Sequence, residues 1–171
     1  METKVLVTYA SKYGATAEIA EKIGQTLQQE GLPVDVLPVK KIGNLSDYKA
    51  IVIGSAIYIG MWRKEAANFL KKNEKLLTER PVWIFSTGPT GKGDAVELLK
   101  GWRVPKGLQP VIDRIKPRDI AIFHGNVDAK KMNFIEKWMI NIVKSPVGDF
   151  RDWNTITRWS ADIAGTLKKQ G

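Results

Sequence analysis

The sequence contains no cysteine and a single histidine, His124. Without cysteine, the chain cannot form a disulfide, supply a thiol nucleophile or ligate an iron–sulfur cluster through sulfur. One histidine is too few for a multi-histidine metal site. We expect His124 to be a strand-end residue without a chemical role, and no metal site is predicted.

Long hydrophobic runs are absent as well. No apolar run reaches the roughly 18 residues needed to span a bilayer. The first strand pattern begins at Lys4, which leaves no room for a signal peptide. Cytoplasmic residence is therefore expected. The 171 residues suffice for a sizeable core, and we expect a single domain over 1–171 that carries an insertion at about 125–152.

Acidic residues are scarce relative to basic ones. The chain has 27 Lys and Arg against 18 Asp and Glu, a formal net charge of +9. Such a surface suits nucleic acid, an anionic membrane or an acidic protein. No helix-turn-helix, zinc-finger or RNA-binding aromatic pattern is present. We therefore expect no nucleic-acid partner.

Short apolar runs alternate with helical patterns along the chain, which is typical of a parallel sheet covered on both faces. The sheet is expected to hold near-continuous apolar strands such as Ala50–Gly54 and Pro81–Phe85. The predicted strands are 4–10, 33–39, 50–57, 81–87 and 119–124. The predicted helices are 15–30, 62–77, 108–116, 130–144 and 153–168.

The helix predicted at 130–144 is unusually apolar. A stripe suited to the core is widened by two aromatic residues, Phe134 and Trp138. This surface exceeds what a helix needs to cover one sheet face. A helix buried in the core, a homodimer contact and contact with an anionic membrane or a hydrophobic substrate all remain open. The stripe comprises Met132, Ile135, Met139, Ile142 and Val143, and the polar wedge comprises Asn133, Glu136, Lys137, Asn141 and Lys144.

Three loops follow strands of the predicted sheet. The first, 11–17, combines hydroxyls and a glycine with a helix N-terminus, an arrangement that binds phosphate through N–H groups and the helix dipole. The second, 54–62, carries Tyr58, and the third, 86–94, is rich in glycine and hydroxyls. Ligands of parallel sheets bind beyond the carboxyl ends of the strands. The loops together suit a phosphorylated planar ligand.

Competing nucleotide and hydrolase motifs are missing. No G-x-x-x-x-G-K-[S/T] occurs, and no G-x-G-x-x-G follows the first strand. No G-x-S-x-G nucleophile elbow is present. A P-loop kinase or GTPase, a dinucleotide dehydrogenase and a serine hydrolase are thereby disfavoured.

The three loops, in this order, resemble those of the flavodoxin superfamily. Ser11–Thr16 is similar to its phosphate loop, although Lys12 and Tyr13 are bulkier than usual there. The stretches 123–128 and 148–153 resemble the flavodoxin-domain branch that includes menaquinone-dependent protoporphyrinogen IX dehydrogenases. This resemblance implies an α/β three-layer sandwich with a five-stranded parallel sheet in the order 2-1-3-4-5. An extra helical insertion would precede the last helix.

The resemblance also implies flavin mononucleotide (FMN) as cofactor. The first loop would hold its phosphate, the second would line the flavin ring with Tyr58 stacked on it, and the third would close the pyrimidine side. Gly60 would bring a carbonyl near flavin N5, which carries the chemistry without a catalytic side chain. The residues so assigned are Ser11, Lys12, Tyr13, Gly14, Ala15, Thr16, Ser55, Ala56, Ile57, Tyr58, Gly60, Ser86, Thr87 and Gly88.

Three functions follow from these expectations. The leading one is an FMN oxidoreductase that oxidises protoporphyrinogen IX or a similar hydrophobic donor and passes electrons to a quinone. The second is a flavodoxin-like electron carrier with a protein redox partner. The third is a flavin-free binding or assembly protein on the same fold. A peripheral position at the inner face of the membrane would fit the first.

Overall fold

The computed structural model describes residues 3–58, 60–99, 103–143 and 146–171. The strands are β1 (Val5–Ala10), β2 (Val34–Pro38), β3 (Ala50–Tyr58), β4 (Met61–Trp62), β5 (Val82–Thr87), β6 (Asp119–Phe123), β7 (Asn126–Val127) and β8 (Gly148–Asp149). The helices are α1 (Ala15–Gln29), α2 (Lys64–Lys72), α3 (Glu74–Thr78), α4 (Ala95–Leu98), α5 (Gln109–Ile115), α6 (Phe134–Val143) and α7 (Trp153–Gln170).

The main sheet is parallel, and its strands lie in the order β2-β1-β3-β5-β6. Val5 of β1 pairs with Val34 on one side and with Ala50 on the other. Strand β4 adds an antiparallel pairing to the end of β3. Counting the parallel strands alone, this is the predicted order 2-1-3-4-5, and the flavodoxin-like α/β fold is confirmed. The order reverses at β1 and β3, so their carboxyl ends border a crevice.

Two hydrophobic layers cover the sheet because its central strands are apolar on both faces. On one face α1 and α7 pack through Ile23 and Ile163, and on the other α2 packs through Leu70 and α5 through Ile112. The last helix begins after Asp152, as predicted, and the Asp152 carboxylate accepts from two backbone N–H groups. These layers hold the strand ends rigidly below the crevice.

The single helix predicted at 62–77 is wrong. Trp62 belongs to β4, and the helical segment is divided into α2 and α3 at Asn73. The Asn73 side chain donates to the Phe69 carbonyl at 2.9 Å, and asparagine favours such local bonds over the regular helical pattern. The hairpin of β3 and β4 therefore replaces the predicted loop and helix start.

The insertion at 125–152 contains more than the predicted helix at 130–144. Strands β7 and β8 form a small antiparallel sheet at its two ends. A 3₁₀ turn at Ala129–Lys131 precedes α6, which begins only at Phe134. Lys144 lies outside the described residues, as do the side chains of Met139 and Val143. Helix α4, capped by Asp94, was not predicted.

Ile135 and Ile142 of the apolar stripe are not buried, which argues against the alternative of a helix buried in the core. Ile135 is 66% exposed and Ile142 is 59% exposed, whereas Glu136 of the polar wedge is only 3% exposed. Phe134 and Trp138 are exposed as well. The helix thus lies with its carboxylate inward and much of its apolar surface outward. No helix in the described part of the chain is long and apolar enough to cross a bilayer.

Candidate functional site

The loop between β1 and α1 has the backbone geometry of an anion site. Gly14 adopts φ +93° and ψ −13° immediately before the helix, and its N–H donates to Ser11 Oγ at 3.1 Å. A Cβ built on Gly14 would meet no atom within 4 Å. The space above this backbone is therefore open to a ligand at the positive end of α1.

Hydroxyl groups connect the loops at the ends of the neighbouring strands. Thr16 Oγ1 lies 2.6 Å from Thr87 Oγ1, and both residues are buried. Ser55 Oγ donates to the Ala56 carbonyl at 3.0 Å and accepts from the N–H of Arg63, also at 3.0 Å. These bonds fix the carboxyl ends of β3 and β5 against the start of α1.

Trp62 secures the β3–β4 hairpin from below. Its indole N–H donates to Ser86 Oγ at 2.8 Å, and both residues are buried. Tyr58 pairs with Met61 across the hairpin and is 38% exposed. The hairpin therefore presents Tyr58 at the surface while its tryptophan is anchored to β5.

A cleft of about 120 Å³, open to solvent at its mouth, lies where these loops meet. It contains most of the predicted site residues and several residues that sequence reasoning missed. The predicted residues that line it are Ser11, Lys12, Tyr13, Ala15, Thr16, Ala56, Ile57, Tyr58, Thr87 and Gly88. The missed residues are Arg63, Gly125, Asn126, Val127, Asp128, Met132 and Ile140.

Four predicted residues do not line this cleft. Ser55 and Ser86 are buried beneath it and support the hairpin. Gly14 forms the backbone turn before α1, and Gly60 lies at the tip of the β3–β4 hairpin. Met132 and Ile140 were missed because nothing in the local sequence connects them to the strand ends. Gly125 gave the one usable signal, as a glycine directly after a strand.

Gly88 and Gly125 bring two loops into direct backbone contact. A Cβ on Gly125 would lie 3.1 Å from the Gly88 Cα. The Gly88 N–H donates to the Phe123 carbonyl at 3.3 Å, and the Gly125 N–H donates to the Pro89 carbonyl at 2.9 Å. A side chain on Gly125 would therefore push the insertion away from the cleft floor.

Opposite charges meet at the mouth of the cleft. The Lys12 ammonium lies 5.5 Å from the Tyr58 ring centroid and 5.1 Å from that of Tyr13, within range of cation–π attraction. Lys12 Nζ and Tyr13 OH both donate to the Glu136 carboxylate. The side chains of the first loop thus connect it to α6 and to the hairpin that carries Tyr58.

Arg63 and Arg151 place further cationic groups near the loops. Arg63 is bonded to Glu65, whose pKa is lowered chiefly by its own backbone N–H and further by Arg63. Arg151 donates to Asp149 at 2.7 and 2.8 Å and to the carbonyl of Ala15 at 3.4 Å. Its hydrogen bonds hold the pKa of Asp149 below the ordinary value. Arg151 therefore ties the end of the insertion to the first turn of α1.

The residues present fit a phosphorylated planar ligand. Open space above the Gly14 backbone, the N-terminus of α1 and the Ser11 hydroxyl suit the phosphate. Tyr58 and Ile57 provide an aromatic and an aliphatic wall for a planar ring. His124 lies outside this cleft, in a separate hollow with Asp94 and Asp152.

The chain is similar in sequence to two kinds of dehydrogenase. The chain is 22% identical to the protoporphyrinogen IX dehydrogenase [quinone] of Escherichia coli strain K12 over 187 aligned positions, with 97% of each chain covered. It is 30% identical over 90 positions to an NAD(P)H dehydrogenase (quinone) of Bradyrhizobium sp. strain ORS 278, covering 40% of this chain and 45% of that one.

Solved structures share the fold. A flavodoxin from the domain Archaea superposes with a TM-score of 0.64 at 16% identity, covering 97% of this chain and 99% of that chain. Rubredoxin oxygen:oxidoreductase of Desulfovibrio gigas gives a TM-score of 0.65 at 15% identity, covering 98% of this chain and 37% of the other. The family model described as flavodoxin domain matches residues 6–154, so this chain belongs to the flavodoxin-domain family.

Proposed function

We propose that this protein is an FMN-dependent oxidoreductase that takes electrons from a hydrophobic donor, such as protoporphyrinogen IX, and passes them to a quinone. The observation that carries the proposal is the cleft in which the Gly14 loop, the Tyr58 hairpin and the insertion meet. The names of the related dehydrogenases, which act with quinones, support the reaction class.

The loop at 11–16 would hold the FMN phosphate through backbone N–H groups and the Ser11 hydroxyl. Tyr58 and Ile57 would contact the ring, and Thr87 and Gly88 would close its polar side. When bound, FMN supplies the electron transfer, so the protein's contribution is binding, orientation and electrostatics. Ser55, Ser86 and Trp62 would keep the ring-binding loops in place through their buried hydrogen bonds.

The position of α6 supports a hydrophobic partner. Met132 and Ile140 of this segment line the cleft, while Phe134 is 84% exposed and Trp138 is 59% exposed on its outer surface. The exposed lysines 130, 131 and 137 flank these aromatics. Apolar side chains bordered by lysines suit a peripheral contact with an anionic membrane, where quinones reside, and each lysine would contribute roughly 1 kcal/mol near the charged surface.

An electron carrier is the second candidate, supported by the flavodoxins of the same fold. The net charge favours the oxidoreductase over the electron carrier. Reduction adds negative charge to the cofactor, so a surrounding charge of +9 raises its potential. A raised potential suits acceptance of electrons from an organic donor, whereas a carrier for low-potential reactions needs the opposite. A homodimer covering the outer face of α6 would fit either candidate.

FMN titration tests the cofactor. We expect bound FMN to show altered absorbance and quenched fluorescence, and riboflavin, which lacks the phosphate, to bind far more weakly. Equal affinity for riboflavin and FMN would show that the loop at 11–16 does not bind the FMN phosphate. No binding of either would favour the flavin-free binding or assembly protein.

Vesicle flotation followed by quinone reduction tests the partner. The wild type should float with anionic vesicles and not with neutral ones. Trp138→Glu should abolish flotation and quinone reduction while FMN stays bound. Leu98→Glu, the same kind of change at an exposed apolar residue of α4, should alter neither. A wild type that never floats and sediments as a dimer split by Trp138→Glu would identify an assembly surface instead.

A further inference from the structure

Glu136 is the only charged residue that is buried among the residues the structure describes. Its carboxylate accepts from Lys12 Nζ and Tyr13 OH, and from Asn133 Nδ2 at 3.3 Å. Its own N–H donates to Asn133 Oδ1 at 2.9 Å, which fixes the first turn of α6. A buried carboxylate is unfavourable unless it is paired and hydrogen-bonded. The position of α6 therefore depends on two side chains of the β1–α1 loop.

We propose that Glu136 is a positioning residue that clamps α6 onto the phosphate-binding loop, so that docking of α6 and binding of the FMN phosphate favour each other. The part of the proposal that concerns FMN rests on the proposed function. The clamp itself stands on contacts within the chain. It also accounts for the unusual length of the Lys12 and Tyr13 side chains, which reach across to the insertion.

The other contacts of α6 explain why one carboxylate has this influence. Phe134, Ile135 and Trp138 are exposed and contribute little to attachment. Ile140 of α6 and Met132, just before the helix, line the cleft. The clamp is thus a principal link between the insertion and the β1–α1 loop, and its loss should free the helix.

The conformation of the β1–α1 loop determines whether docking of α6 and binding of the phosphate favour or oppose each other. The Lys12 and Tyr13 side chains are bonded to Glu136, and the Lys12 side chain does not come within 4 Å of a Cβ built on Gly14. A phosphate at this turn would therefore meet backbone N–H groups and the Ser11 hydroxyl. Docking of α6 and binding of the phosphate then require the same conformation of the β1–α1 loop, so each favours the other. Linkage makes the effect reciprocal: whatever factor α6 docking adds to FMN affinity, FMN adds to α6 docking.

Trypsin digestion followed by mass spectrometry reads the docking directly, because Lys130, Lys131 and Lys137 lie in or beside α6. We expect FMN to slow cleavage at these lysines severalfold and riboflavin to slow it less, with inorganic phosphate giving partial protection. Faster cleavage in the presence of FMN would mean that the phosphate competes with Glu136 for Lys12, and would overturn the proposal.

The variants isolate the charge pair. Glu136→Gln replaces the charged acceptor of the Lys12 and Tyr13 hydrogen bonds by a neutral amide, and should raise cleavage of the unliganded protein at the α6 lysines by about tenfold. Lys12→Met combined with Glu136→Gln should be cleaved about as fast as Glu136→Gln alone, because the pair is already broken and the second change removes nothing further. Glu79→Gln, the same change at an exposed residue of the opposite sheet edge, should leave cleavage unchanged.

Affinity gives the second measurement. Glu136→Gln should weaken FMN about tenfold and riboflavin little, because the phosphate loop is what the clamp orders. Equal weakening of both ligands, or cleavage of Glu136→Gln at the wild-type rate, would overturn the clamp. If no flavin binds the wild type, the proposed function fails, while cleavage of the unliganded single and double variants still decides whether Glu136 holds α6.

Discussion

Replacing Gly14 by alanine tests the phosphate loop through the backbone alone. Gly14 has φ +93°, a conformation that costs a residue with a side chain about 1–2 kcal/mol. A Cβ there meets no atom within 4 Å, so the cost comes from backbone strain and not from collision. We therefore expect Gly14→Ala to lower the free energy of unfolding of the unliganded protein by about 1–2 kcal/mol.

Gly31 provides a matched control at the other end of α1. It has φ +88° and also has no atom within 4 Å of a built Cβ. Gly31→Ala should therefore lose the same free energy of unfolding, but far from the cleft. Gly43 has equal space without the positive φ, and Gly43→Ala should stabilise by about 0.4–1 kcal/mol through the unfolded chain.

Stabilisation by FMN should distinguish Gly14→Ala from Gly31→Ala. Ligand at 100 times its Kd stabilises a protein by about 2.7 kcal/mol. Gly31→Ala should keep that increment, whereas Gly14→Ala should lose about half of it if the methyl group weakens FMN tenfold, since tenfold is about 1.4 kcal/mol. Urea denaturation with and without FMN measures both quantities. Equal FMN-induced stabilisation of the two variants would refute contact between the Gly14 backbone and the ligand.

Three further expectations concern pH and the ring. Burial and the hydrogen bond to Asp35 raise the pKa of Tyr48 to about 12. The free energy of unfolding should therefore fall as pH rises from about 10 through about 12. Urea titrations of Tyr48→Phe should show a smaller fall over this pH range. Arg151 lowers the pKa of Asp149, so the stability that this pair contributes is present at neutral pH and is lost as pH falls through the lowered pKa. Arg151→Met should remove this acid dependence. In urea denaturation at pH 7 it should lower the free energy of unfolding by about 1–2 kcal/mol. Tyr58→Ala should weaken FMN and raise the fluorescence of the bound ligand, because an aromatic ring stacked on a flavin quenches it.

The strands could be predicted from sequence because their signal is local. β1, β3 and β5 are short apolar runs that end at glycine- or hydroxyl-bearing loops, and strand order follows from that pattern through the family resemblance. The loop at 11–16 was visible for the same reason. Its meaning depends on a strand before it and a helix after it, both encoded within the same stretch of chain.

The β3–β4 hairpin could not be predicted in this way. Trp62 follows Tyr58 closely and precedes a helical pattern, so it was assigned to the helix. Its backbone pairs with Ile57 of β3, and its indole bonds to Ser86, which lies on a different strand. Arg63 was missed with it, because only the hairpin brings Arg63 to the cleft. Such a pairing between distant residues leaves no periodic signal.

The orientation of α6 was missed for a related reason. The helix is apolar around most of its circumference, so periodicity does not determine which side faces the protein. The pair of Glu136 with Lys12 determines it instead. Residues two apart on a helix point about 200° from each other. Once Glu136 faces inward, Phe134 and Trp138 must therefore face outward.

This rotation leads to a last prediction. Burying one large apolar side chain contributes about 1.5–3 kcal/mol, so several exposed on α6 outweigh one ion pair unless a lipid surface or second chain covers them. Glu136→Leu removes the reason for the inward carboxylate, and we expect α6 to rotate and bury Trp138. Hydroxyl-radical footprinting by mass spectrometry distinguishes Trp138 from the other tryptophans and should show it protected, with flotation on anionic vesicles lost. If Trp138 stays as reactive in Glu136→Leu as in the wild type, backbone contacts of the insertion, and not the Glu136 carboxylate, fix the rotation of α6.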